Sequence, residues 1–283
     1  MRQKTAVAFL TAVLAGAIGA GAGPAAAQGN DLENLLALCS DPATPPLDAY
    51  NACSNAAETG RLDARRRALV WMNAGIAAHV MGRYGDAVTA HGNAIKADPR
   101  LGAAFANRAR AQDKLDRVAA ALADFAAAIS IEPKSVDAYL GRGALMLSRD
   151  LPERALPDFD RAVELAPEMA LARYNRGLAH LQLGQFAEAE ADFSAVIGKN
   201  PREAQAYLNR GRARAAQGSD KARGDFDRAV QLDQEWPVAW YLRGRYLDEQ
   251  GDREGANASF LRAYQLGHSD PWLIERIRKI SGG

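Results

Sequence analysis

The stretch ALARYNRGLAHLQLGQFAEAEADFSAVIGKNPRE, residues 170–203, decides the fold. Apolar and small residues recur at helical spacing on both sides of Gly184. Gly184 stands where a first helix must end, because a chain leaving a helix turns most easily through a residue without a Cβ. Pro201 stops the second helix and sets the turn that follows. The stretch therefore reads as helix, tight turn, helix, tight turn. It is also repeated. Pro99, Pro133, Pro167 and Pro201 are spaced by 34 residues, as are Ala109, Gly143, Gly177 and Gly211. Gly75 precedes the second series by another 34 and Gly244 follows it by 33. The missing residue lies in the turn Ala216–Asp220.

Six segments can be laid over one another: 68–101, 102–135, 136–169, 170–203, 204–236 and 237–270. Their fourth positions are Trp71, Phe105, Tyr139, Arg173, Tyr207 and Trp240. A small-residue column runs Ala87, Ala121, Ala155, Ala189, Ala222 and Ala256, and four residues on stand His91, Phe125, Phe159, Phe193, Phe226 and Phe260. Small residues let the two helices of a hairpin cross closely, and the aromatics fill the space between hairpins. One hairpin cannot bury its apolar face alone, whereas stacked hairpins share a continuous core.

This pattern resembles the tetratricopeptide repeat family over about 200 residues. The resemblance implies an all-α fold, an α-solenoid whose hairpins wind into a right-handed superhelix. The sequence departs from the family pattern at Arg173, where an aromatic is expected, at His91 in place of Phe, and at Gln234 in place of Pro. Residues 68–270 are read as six repeats. Residues 28–67, with helices at Leu32–Cys39 and Leu47–Glu58, are read as a capping hairpin. Residues 271–283 are read as a capping helix that turns Leu273, Ile274, Ile277 and Ile280 inward and Glu275, Arg276, Arg278 and Lys279 to water.

Residues 1–27 have the three parts of a secretory signal: basic Arg2 and Lys4, an uncharged run from Thr5 to Gly23, and the cleavage-type triplet Ala25-Ala26-Ala27. The alternative is an uncleaved anchor. Cleavage would place the chain in the periplasm or outside the cell, with no membrane span remaining. It leaves 33 of the 35 basic residues against 34 acidic ones, a formal charge of −1. That balance gives no electrostatic footprint for nucleic acid. The two cysteines, Cys39 and Cys53, are an even count in an exported chain and suggest one disulfide stapling the first hairpin; the alternative is two buried thiols.

Catalytic chemistry finds no constellation. His91 and His180 occupy packing positions, and no HExxH, CxxC or phosphate-binding glycine loop is present. The acidic pairs Asp158/Asp160 and Asp225/Asp227 follow the repeat phase and read as a solvated surface. The expectation is therefore a non-enzyme, with no catalytic residue, metal or cofactor. The resemblance implies a concave face lined by the first helices. Position 6 on that face carries Asn73, Asn107, Asn175 and Asn209, with Gly141 and Leu242 interrupting. Such an Asn column either pairs with a peptide's N–H and C=O or bridges neighbouring helices; both readings stand. Arg110, Arg212 and Arg245 at position 9, with Tyr174 and Tyr241 at position 5, complete the expected peptide-binding groove. The next column, Arg108, Arg142, Arg176, Arg210 and Arg243, reads as a structural ladder to acidic residues of adjacent helices. The Lys and Asn placement of a carboxylate clamp is absent. The expected function is an extracytoplasmic scaffold for partner polypeptides. The alternative is an accessory subunit of a cell-envelope enzyme. Oligomeric state is not legible.

Overall fold

A computed structural model describes residues 28–281 of the chain. The expected signal segment, 1–27, lies outside the described residues. Fifteen α-helices and no strand are present among the described residues, an all-α solenoid of helical hairpins. The chain forms two compact units that divide between Ser148 and Arg149.

The first unit opens with α1 (Gln28–Ser40) and α2 (Pro46–Glu58). Next come α3 (Ala64–Val80) with α4 (Tyr84–Ala97), α5 (Gly102–Lys114) with α6 (Val118–Ile131), and α7 (Val136–Ser148). The second unit begins at α8 (Pro152–Leu165). It continues with α9 (Ala170–Gln182) and α10 (Phe186–Lys199), α11 (Ala204–Ala216) and α12 (Ala222–Leu232), then α13 (Pro237–Glu249) and α14 (Arg253–Gln265). It ends on α15 (Pro271–Ser281).

The expected turns are in place. Gly82, Gly184, Gly218 and Gly251 have φ between 71° and 81°, the left-handed region that a residue without Cβ enters freely. The two repeats without that glycine use Asp116 and Asp150, both at φ 59°. Asp is among the few other residues that tolerate this conformation, because its short side chain can bond locally. Helix α3 starts one turn before the repeat phase does. Asp63 caps it, accepting from the Arg66 amide at 2.8 Å, and so extends the helix upstream.

The small-residue columns do what their spacing predicts. Ala87, Ala121, Ala155, Ala189, Ala222 and Ala256 are wholly buried. Phe125, Phe159, Phe193, Phe226 and Phe260 are all buried in the core. A Cβ added at Gly244 would stand 2.6 Å from the Phe260 ring, so the ring's close approach requires the bare helix at that position. Each such Phe is worth about 3–5 kcal/mol against Ala. His91 takes the Phe position in the first repeat, packed beside Gly75 and buried; its Nδ1 has no partner, and burial pushes its pKa down to about 3.

The arginine column is a ladder of salt bridges. Within the first unit, Arg108 grips Asp124 with two N–H···O bonds of 2.7 Å. Within the second, Arg176 grips Asp192 at 2.8 Å twice and reaches back to Asp160 at 3.1 Å. Arg210 holds Asp225 at 2.7 and 3.0 Å and donates to Ser194 at 3.1 Å. Arg243 joins Asp227 at 2.6 Å and Ser259. The guanidinium of each later rung thus ties its own hairpin to the preceding one. This corrects the expectation for the acidic pairs. Asp158 and Asp225 are 5% and 3% exposed, not solvated, because the second helices turn them into the layer between hairpins. Asp160 and Asp227 lie at the edge of that layer and serve the next arginine.

At both ends the outermost helices pack on the neighbouring hairpin. Cys39 and Cys53 form a disulfide that joins α1 to α2, and the pair packs with Leu36, Ala56, Leu62 and Val70. On α15, Leu273 and Ile277 are buried against the last hairpin. Arg276 does not simply face water: it bonds Asp248 at 2.8 Å and lies over the Phe260 ring.

Candidate peptide-binding face

The first helices of successive repeats are neighbours within each unit, so residues at positions 2, 5, 6 and 9 share a face. In the first unit, Asn73 donates from Nδ2 to the Cys39 carbonyl at 3.5 Å, so its amide meets the stapled cap. Asn107 accepts from Arg110 Nη1 at 2.7 Å. Arg110 in turn ion-pairs with Asp137, at position 2 of the following repeat, and its Nη2 donates to the Asp137 carbonyl at 3.4 Å. Gly141 interrupts the Asn column for a packing reason: a Cβ there would stand 2.4 Å from the Phe125 ring.

In the second unit, four side chains from α9 and α11 form a chain of hydrogen bonds. The Tyr174 hydroxyl donates to Gln205 Oε1 at 3.1 Å and accepts from Asn209 Nδ2 at 3.0 Å. Asn209 Oδ1 accepts from Arg212 Nη1 at 3.0 Å. Burial, with the Glu203 carboxylate adding to it, pushes the Tyr174 hydroxyl up to about 12, so it stays neutral and keeps both roles. Arg212 is exposed at its residue surface, yet desolvation by the surrounding protein lowers its pKa. Asn175, in the adjacent rung, is 3% exposed and its Nδ2 has no partner. Tyr241 and Arg245 lie on α13. Arg245 bonds the Tyr241 hydroxyl at 3.3 Å, approaches Glu249 at 3.7 Å, and sits 5.2 Å above the Trp272 ring.

Of the residues picked from the sequence, Tyr174, Asn209 and Arg212 are therefore joined in one network, and Tyr241 and Arg245 in another. Three members were not picked. Gln205 completes the first network, and His268 and Trp272 complete the second; their rings lie 4.5 and 6.2 Å from that of Tyr241. A position-2 residue within reach of the preceding tyrosine was the available signal for Gln205. Trp272 was hidden inside a helix read only as a cap. Among the described residues no group of three or more His, Cys, Asp or Glu is gathered as a metal would need. No helix among them is long and apolar enough to cross a membrane.

Tetratricopeptide repeat models match residues 72–138, 106–170 and 142–214, together half of the chain. The chain belongs to the tetratricopeptide repeat family. No curated protein matches it. Solved structures with this repeat fold do. A tetratricopeptide repeat protein from Parabacteroides merdae is 21% identical with a TM-score of 0.64, over 87% of this chain and 97% of that one. PilW, described as a widely conserved type IV pilus biogenesis factor, is 20% identical with a TM-score of 0.67, over 74% and 98%. YrrB, described as a tetratricopeptide repeat protein with an unusual peptide-binding site, is 23% identical with a TM-score of 0.56, over 68% and 97%. At these identities the likeness is one of fold. The fold is that of a protein–protein interaction scaffold, with protein or peptide partners.

Proposed function

We propose that this tetratricopeptide repeat protein is an extracytoplasmic scaffold that holds extended segments of partner polypeptides on its first-helix face. The observation that carries this reading is the pair of polar and aromatic networks on that face, Tyr174–Gln205–Asn209–Arg212 and Tyr241–Arg245–Trp272. Arg, Tyr and Trp are the side chains most favoured as binding anchors, and here they are pre-oriented by one another. The signal-like segment 1–27 and the Cys39–Cys53 disulfide support the extracytoplasmic assignment, since such bonds persist in oxidising compartments.

Site-specific photocrosslinking tests the face. A photoreactive residue at Arg245, on the first-helix face, should capture partner polypeptide in the cell envelope. The same residue at Gln231, on a second helix, should not. Equal capture from both positions, or from Gln231 alone, refutes the assignment. Recovery of one envelope enzyme in fixed stoichiometry would favour the accessory-subunit reading over a general holder.

A further inference from the structure

Position 9 of the repeat carries an arginine three times, and the three are neutralised differently. Arg110 has Asp137, the position-2 residue of the following repeat. Arg245 has Glu249, one turn on along its own helix, and the ring of Trp272 beneath it. Arg212 has neither. The residue equivalent to Asp137 is Val238, and the residue equivalent to Glu249 is Ala216. Among the described residues its hydrogen-bond partner is the neutral Asn209 amide, held by the neutral Tyr174 hydroxyl and, through it, by Gln205. Glu203, whose carboxylate acts on the Tyr174 hydroxyl, accepts from Asn200 at 3.2 Å.

The consequence is a guanidinium oriented at one edge and electrostatically uncompensated. A guanidinium carries five N–H donors in a planar fork that matches a carboxylate. Asn209 takes one of them and holds that edge. Surrounding protein removes part of the water that would otherwise solvate the charge, which is why its pKa falls, yet the residue remains open to an incoming group. An arriving anion therefore meets a charge that already bears the desolvation cost and needs no reorganisation.

We propose that Arg212 receives the side-chain carboxylate of an Asp or Glu within an extended partner segment, making this face selective for acidic clients. The proposal rests on the reading of that face as a polypeptide-binding surface. A side chain fits better than a chain end, because the first-helix face continues on both sides of Arg212. Tyr174 lies on the preceding repeat, and Tyr241 and Arg245 on the following one.

The test uses the mature chain and labelled peptides of one length with both ends blocked, alternating Ser-Glu or Ser-Gln, read by fluorescence anisotropy at low salt. The Ser-Glu peptide should bind about tenfold more tightly than Ser-Gln. R212Q should abolish the preference. R262Q, which removes a second-helix arginine already paired with Glu235, should leave it intact. V238D should also abolish it with Arg212 still present, by supplying the internal carboxylate that Asp137 supplies to Arg110. Unchanged circular dichroism melts would establish that R212Q and V238D are folded. Equal binding of the two peptides, or a preference that survives both variants, overturns the proposal. A Ser-Gln peptide with a free C-terminus that matches Ser-Glu overturns the choice of side chain over chain end. Failure of both peptides to bind, together with crosslinking that ignores the face, removes the scaffold reading itself. Sequence-independent binding of both peptides removes only the acidic preference.

Discussion

The two units of the chain solve the same stacking problem by different means. In residues 149–281 each arginine rung spans two hairpins: Arg176 holds Asp192 and Asp160, Arg210 holds Asp225 and Ser194, and Arg243 holds Asp227 and Ser259. In residues 28–148 that ladder runs out towards the N-terminus. Ala74 stands where the first rung would be, and Gly92 where Arg108 would find a partner on the preceding hairpin. The core changes with it, for His91 replaces the Phe that Phe193, Phe226 and Phe260 supply later. A disulfide packed among Leu36, Ala56, Leu62 and Val70 takes over. The lesson is that a terminal hairpin, with a neighbour on one side only, cannot share a two-sided ion-pair network. It is held instead by a covalent link that restricts its unfolded state.

The largest effect expected from breaking this contrast is R176A. It leaves Asp192, 2% exposed, with Arg173 at 3.7 Å in place of a bidentate partner, and a buried carboxylate so weakened costs about 3 kcal/mol. R108A should cost less, since Arg108 holds Asp124 but nothing on the preceding hairpin. Urea unfolding of the two variants compares them, and equal losses would mean that the second rung partner contributes nothing.

Removing the Cys39–Cys53 bond comes next. Its sequence separation of 14 corresponds to about 3 kcal/mol of loop-closure entropy. The loss should be local. Hydrogen exchange should quicken in α1, α2 and α3 while α9 to α13 keep their protection; uniform quickening would contradict the division of labour between the units.

H91F tests the altered core and its pH dependence. The folded-state pKa of His91 lies at about 3, well below the 6.5 of an unperturbed imidazole, chiefly because burial disfavours its charge. The unfolded chain therefore takes up a proton that the folded chain refuses. Stability from this group is complete above about 6.5 and is lost as pH falls towards 3, by about 1.4 kcal/mol per unit. H91F should remove that slope and, by deleting the unpaired Nδ1, stabilise the protein by about 1–2 kcal/mol at neutral pH. The difference between the melting curves of parent and variant across pH 4–7 is the readout.

The smallest effect is G92D, which restores the missing partner of Arg108. A Cβ at this position meets nothing closer than Arg108 Nη1 at 3.7 Å. A gain of about 0.5–1 kcal/mol, absent in the R108A background, would show that the ladder can be extended.

Much of this was legible in the residues. The 34-residue phase exposed the hairpins, because Gly, Ala, Phe and Pro each answer a local steric demand that recurs at every turn and crossing. The arginine column was legible as a ladder for the same reason. Its acidic partners were misjudged as solvent-facing because a charged pair on a helix carries no mark of which side the neighbouring hairpin covers. The left-handed Asp116 and Asp150 were missed, since Asp does not announce a helix end as Gly does. The Asn column was visible as a column, but whether its amides bond inward could be decided only by what lies across from each.

By itself, then, the sequence determined the period, the helical hairpins and the glycine turns, all of them consequences of contacts within or between adjacent segments. The tertiary structure decided which charges are spent. Arg110, Arg212 and Arg245 share one position in the repeat, and only the packing of the following elements shows that Asp137 neutralises the first, that Glu249 and Trp272 engage the third, and that the second meets none of them. Charge compensation depends on distances across helices, and those are properties of the fold.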